Sequence, residues 1–170
     1  ADSGCGRRAN GDMLGWGEAN RGQLGDSTYQ PRGIAREVRV TWQTNPYAAR
    51  GAALYAGINY MCAILTDRRV AGWGAQGFNL RPASDPTLLE AGIVPGIDNA
   101  IDMYMGQHYA CVLRRDGTVW CWGYRDGREG SIVPPDMAYN TPIPQRITSI
   151  SDGIALDGGF SGVLCVLRVG

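Results

Sequence analysis

The chain has 170 residues, enough for one domain with a buried core, and its 16 basic and 16 acidic groups cancel. With no net field to recruit polyanions and no run of the ~18 apolar residues that crosses a bilayer, the sequence predicts no nucleic-acid partner and no membrane span. Gly at 25 and Pro at 9 against Phe at 2 predict many short strands and turns rather than helices. Ala1 opens the chain without a methionine or a signal-peptide pattern, so the start reads as processed or cut from something longer.

In chain order, one unit recurs. Cys5, Cys62 and Cys111 are each followed six residues later by a turn position, Gly11, Arg68 or Gly117. Eleven residues after each stands Trp16, Trp73 or Trp122, followed each time by glycine. An apolar block ending in glycine precedes each later cysteine, at 52–57, 100–106 and 154–159. A period near fifty with a strand-turn-strand core predicts propeller blades or a related β array. The repeats run about 5–61, 62–110 and 111–164, with a partial fourth unit at 165–170.

The clearest unit is 106–123, a hairpin around Asp116-Gly117, where glycine supplies the positive φ of a tight turn. A three-residue loop puts Cys111, Leu113, Val119 and Cys121 on one face and Val112, Trp120 and Trp122 on the other. Both faces are apolar, which predicts a hairpin sandwiched between neighbouring sheets. Alternation over 37–42 predicts an outer, half-exposed strand burying Val38, Val40 and Trp42, and Ile101, Met103 and Met105 alternate in the same manner. Residues 131–144 carry four prolines and read as a surface excursion.

Few residues offer chemistry. Cys111 and Cys121 lie directly opposite across the turn, as either a cross-strand disulfide or two buried thiols; a disulfide there would contribute roughly 2.5–3 kcal/mol by loop closure. Cys5 and Cys62 face Gly15 and Gly72 instead, so their expected role is packing. His108, the sole histidine, points away from Cys111 on a strand and has no Cys-x-x-Cys companion, so no metal site is expected. Gly72-x-Gly74-x-x-Gly77 matches a dinucleotide fingerprint in letters only, because Asn79 and Pro82 stand where a helix must follow; no cofactor is expected. With no nucleophile beside a base and no paired carboxylates, the chain is read as not an enzyme. The loops after each Trp-Gly differ most, and Tyr29, Tyr124, Arg125, Arg128 and Tyr139 supply the residue types that anchor protein interfaces.

The run Trp16-Gly17-Glu18-Ala19-Asn20-Arg21-Gly22-Gln23-Leu24-Gly25-Asp26 closely resembles the signature of the regulator of chromosome condensation repeat, and 108–123 resembles its other half. Departures are Arg68 at the turn glycine, Gly77-Phe78-Asn79-Leu80 at the Gly-Gln-Leu-Gly turn, and 125–130, which keep only its glycines. The resemblance implies an all-β fold, a partial β-propeller of about three four-stranded blades, open or completed by further chain or partner copies. It implies a binding scaffold: relatives include an exchange factor for a small GTPase, a photoreceptor that uses tryptophans, and secreted inhibitors of β-lactamase. None of their functional residues can be placed on this sequence. Trp16, Trp73 and Trp122 share one repeat position, which marks them as blade residues. Secreted bacterial relatives carry the paired cysteines, so the resemblance implies a Cys111–Cys121 disulfide and an extracellular or cell-envelope location. The expected function is a scaffold engaging a protein partner or assembling with itself. The alternative is an exchange factor for a small GTPase, cytoplasmic and with free thiols.

Overall fold

The computed structural model describes residues 3–40, 50–57, 60–74, 89–106, 109–124, 140–159 and 163–169. Four antiparallel sheets follow one another along the chain. The first contains β1 (Ser3–Arg7), β2 (Met13–Gly17) and β3 (Arg32–Glu37), in that order. The second contains β4 (Gly51–Ala56), β5 (Tyr60–Leu65), β6 (Val70–Gly74) and β7 (Gly92–Ile93). The third contains β8 (Ala100–Met105), β9 (Tyr109–Arg114), β10 (Val119–Tyr124) and β11 (Asn140–Arg146), and the fourth pairs β12 (Gly153–Gly159) with β13 (Val163–Arg168). Each sheet after the first begins one strand before its cysteine-bearing strand. None of the described residues is helical.

The repeated hairpin closes the same way three times. Arg8, Leu65 and Arg114 donate their amides to the carbonyls of Asp12, Arg69 and Thr118 at 2.8–2.9 Å. The last loop residue takes the left-handed conformation: Gly11 at φ 93°, Arg68 at 68° and Gly117 at 79°. At Gly117 a side chain is also excluded by space, since a Cβ would lie 2.8 Å from the Ser151 carbonyl oxygen. Arg68 bears the Cβ penalty that glycine avoids, so Arg68→Gly is expected to stabilise the fold by about 0.5–1 kcal/mol, read as a raised urea midpoint at unchanged slope.

That turn residue also joins each sheet to the next. The carbonyls of Gly11, Arg68 and Gly117 accept from the amides of Gly51, Ala100 and Gly153, at 2.9, 2.9 and 3.0 Å. Three apolar seams fill the space between the sheets. Met13 of the first sheet packs with Met61, Ala63, Leu65, Ala71 and Trp73 of the second. Tyr60, Cys62, Ile64 and Val70 pack with Met103, Ala110, Val112 and Trp122 of the third. Leu113, Val119, Ile147 and the Cys111 and Cys121 pair pack with Leu156 of the fourth. The central hairpins are thus buried on both faces, as their two apolar sides predict, because each has a sheet against either side.

Three strand expectations are corrected. The outer strand of the first sheet is Arg32–Glu37, ahead of the alternating Val38 and Val40. The valines follow it: Val38 donates its amide to the Met13 carbonyl at 2.9 Å, Val40 bridges to Ala91, and both pack into the first seam. Trp42 lies outside the described residues. β8 is not half-exposed, because an irregularity between Ala100 and Asp102 pushes Ile101 outward and leaves Met103 and Tyr104, of opposite parity, both buried. Of the proline-rich excursion, 140–144 belong to β11.

Candidate functional site

The sheet stack absorbs most of the residues with chemical capacity. Cys111 and Cys121 stand opposite one another in the β9–β10 register, Cα atoms 4.1 Å apart, joined as a disulfide and shut off from solvent between the third and fourth sheets. Cys5 pairs in register with Gly15 and Cys62 with Gly72. Cys62 is buried, Cys5 half-buried and Cys165 exposed. Burial pushes the Cys62 thiol up to about 12 from an ordinary 9.0, and raises Cys5 as well. Alkylation of the native protein is therefore expected to label Cys165 first and Cys62 only on unfolding, which peptide mapping after timed iodoacetamide exposure reads directly.

Tyrosines pin sheet to sheet near the innermost strands. The Tyr60 hydroxyl donates to the Gly106 carbonyl at 2.6 Å, and the Tyr104 hydroxyl to that of Gly159 at 2.6 Å. Asp102 holds three groups at once: it accepts from the Tyr55 hydroxyl at 3.3 Å and from the amides of Met103 and Leu156 at 2.9 Å. Burial, then the Asp102 carboxylate, pushes Tyr55 up to about 12 from 10.0. Burial likewise raises Tyr60 and Tyr109, helped by neighbouring ionisable groups. Tyr55 and Cys62 thus ionise less readily folded than unfolded. Stability is full below the unfolded values near 9.0 and 10.0 and falls as pH rises toward 12. Melting temperature is expected to drop across that window, less steeply for Cys62→Ala relative to its own value at pH 7.

The Gly-Gln-Leu-Gly turn is buried too. Gln23 accepts the Arg21 amide at 2.7 Å through its side-chain oxygen and donates to the Asn20 side chain at 3.1 Å, while its own carbonyl accepts from Trp73 Nε1 at 2.9 Å. Gly25, at φ 63°, lies against the Trp73 ring, where a Cβ would come within 2.9 Å. This motif therefore locks one sheet to the next rather than displaying a surface.

A groove of about 910 Å³ remains beside the first sheet, between β3 and the turn at 26–28. Its floor is Asp26, which accepts the Thr28 amide and hydroxyl at 3.1 and 2.8 Å and pairs with Arg32 at 3.4 Å. Ser27 donates to Glu90 across the groove, and Arg8 pairs with Glu37 at 3.8 Å. Arg36 and Arg39 line the same groove without an acidic partner among the described residues. Tyr29, in the loop leading into β3, is 54 % exposed. Sequence reasoning missed these arginines because an alternating-charge edge strand looks like any solvated face. Of the other proposed interface residues, Tyr124 ends β10, and Arg125, Arg128 and Tyr139 lie outside the described residues, as does His108.

Residues 100–130 match the Regulator of chromosome condensation (RCC1) repeat. No curated protein sequence matches the chain. Among solved structures, human WBSCR16 superimposes with a TM-score of 0.67 at 17% identity, over 86% of this chain and 36% of that one. Yeast RCC1 (Prp20) in its complex with Kap60 gives 0.63 at 17% identity, over 91% and 37%, and Prp20p from Saccharomyces cerevisiae gives 0.66 at 14%, over 86% and 36%. The chain thus spans little more than a third of the propellers it resembles. Residues 100–130 thus match one repeat of the RCC1 type, and the chain as a whole shares the fold of these structures, as part of a β-propeller.

Proposed function

We propose that the chain is a non-catalytic, protein-binding segment of a propeller, working outside the cell or at its envelope. The observation that carries this reading is the division of labour among its side chains. Trp73, Trp122, Tyr60, Cys62 and the cysteine pair are spent on joining sheets, whereas Tyr29 and the arginine-lined groove beside β3 stay accessible. Aromatic and arginine side chains on a rigid support are what protein interfaces use as anchors. Tyr124, Arg125, Arg128 and Tyr139 are proposed as further anchors on residue type alone. The outside location is supported by the Cys111–Cys121 disulfide, since such bonds persist in oxidising compartments.

The test is site-specific photo-crosslinking in the native host, with a benzophenone side chain at Tyr29 and, as control, at Thr66 on a hairpin rim. A protein adduct at position 29 and none at 66 is the expected result. No adduct at 29, or the same adducts at both, overturns the reading. A second reading is exchange-factor activity, supported by the likeness to Prp20p, a protein described with its binding properties to Gsp1p and histones. It predicts accelerated release of fluorescent GDP from a small GTPase and five free thiols.

A further inference from the structure

The hairpin turns of the first three sheets come out on one rim of the stack, where hydrogen bonds between neighbouring sheets hold them in a row. Arg50, one residue ahead of β4, gives its carbonyl to the Thr66 amide at 2.8 Å. It also lies against the first turn, where a Cβ on Gly11 would come within 2.7 Å of its own. In the second turn Arg68 gives its carbonyl to the Ala100 amide at 2.9 Å, and the neighbouring Asn99 carbonyl accepts the Arg115 amide of the third turn at 2.9 Å. Arg50, Arg68 and Arg115 therefore follow one another along the rim, and all three are exposed.

The carboxylates of this rim are already engaged. Asp12 pairs with Arg8 at 3.8 Å, Asp67 with Arg69 at 2.6 Å, and Asp98 with Arg114. Asp116 turns onto its own loop and accepts the Thr118 amide and hydroxyl at 3.1 and 2.6 Å. Arg50, Arg68 and Arg115 have no acidic partner among the described residues. Arg68 moreover stands where the other two turns use glycine, at φ 68°, so its guanidinium is carried at a cost in backbone strain. A side chain kept where it weakens the fold points to a use other than folding.

We propose that this row binds a linear polysaccharide bearing carboxylates. Guanidinium forks fit carboxylates two oxygens at a time, and the same rim already pairs its other arginines with aspartates. One free arginine beside each turn gives a repeating row of charge, which suits a stiff polymer that repeats its own and loses little freedom on binding. The turns read Arg8-Ala9-Asn10-Gly11, Thr66-Asp67-Arg68-Arg69 and Arg115-Asp116-Gly117-Thr118. With no aromatic or large apolar side chain there, nothing anchors a protein or stacks on a nucleic-acid base. This does not depend on what Tyr29 and the groove bind.

The test is fluorescence anisotropy with a fluorescein-labelled polygalacturonate fragment at about 50 mM salt, against neutral dextran, polyglutamate and oligo-dT of matched length. The parent is expected to bind polygalacturonate saturably, dextran not at all, and the other two polyanions at least about 10-fold more weakly. Arg50→Gln, Arg68→Gly and Arg115→Gln are each expected to weaken binding about 10-fold and to lower the salt dependence by about one released ion. Arg68→Gly is informative because it loses binding while its urea midpoint rises, which damage to the fold cannot produce. Arg21→Gln, an exposed arginine beyond the other end of β2, is expected to bind as the parent does. Absence of saturable binding, row variants that bind like the parent, Arg21→Gln weakening binding as the row variants do, or polyglutamate or oligo-dT bound as tightly as polygalacturonate would each overturn the proposal.

Discussion

Trp122→Ala is expected to cost about 3–5 kcal/mol. The indole is 1 % exposed and packs in the seam between the second and third sheets, among Cys62, Val70, Met103 and Val112. Its strand is covered on the other side by the seam to the fourth sheet, so the walls of the cavity are held from both directions and cannot collapse inward. Urea unfolding followed by far-ultraviolet circular dichroism should show the midpoint fall in proportion. Trp16→Ala, at the same repeat position but on an open face, is expected to cost under about 1.5 kcal/mol, and the contrast isolates the seam from the residue type.

The second large effect is at the cysteine pair. Replacing both Cys111 and Cys121 by alanine is expected to lose roughly 2.5–3 kcal/mol, the closure entropy of the short loop between them. Replacing Cys121 alone leaves a thiol in the same sealed seam and is expected to cost no less. The oxidised chain should yield three reactive thiols in guanidinium, from Cys5, Cys62 and Cys165, and five after reduction. Five without reduction would remove the support for an oxidising compartment.

The hairpins were legible because they answer to local rules: a residue able to take positive φ six positions after each cysteine, and two apolar faces on either side of it. Even Arg68 could be placed, since the register of its neighbours forced it into the turn. Parity reasoning failed where a strand is irregular. The irregularity at Ala100–Asp102 moves Ile101 out of phase, so a strand that alternates in letters buries Met103 and Tyr104 together. The same local view placed the outer strand on Val38 and Val40, although these follow its last residue, Glu37, and pack into the seam. Contacts between sheets could not be read at all. That Asp102 reaches Tyr55 and Leu156, or that Gln23 presents its carbonyl to Trp73, depends on strands about fifty residues apart.

The candidate surface divides along the same line. Tyr29 lies in the loop after the first Trp-Gly and is exposed. The arginines of the groove needed the turn at 26–28 to fold back beside β3, held by the Asp26 and Ser27 hydrogen bonds, before they could be seen as one lining. Charge alone did not mark them, because Arg8 and Arg32 are offset by Glu37 and Asp26.

The sheets are stacked blades, each fastened to the next through its turn residue, and not independent hairpins in sequence. Native-state hydrogen exchange tests it at three amides, those of Gly51, Ala100 and Gly153, which donate across the junctions to Gly11, Arg68 and Gly117. All three are expected to exchange about as slowly as the central strands β5 and β9, and far more slowly than the amide of the exposed residue Glu18. Exchange as fast as that of Glu18 while β5 and β9 stay protected would mean that the sheets are not fastened to one another.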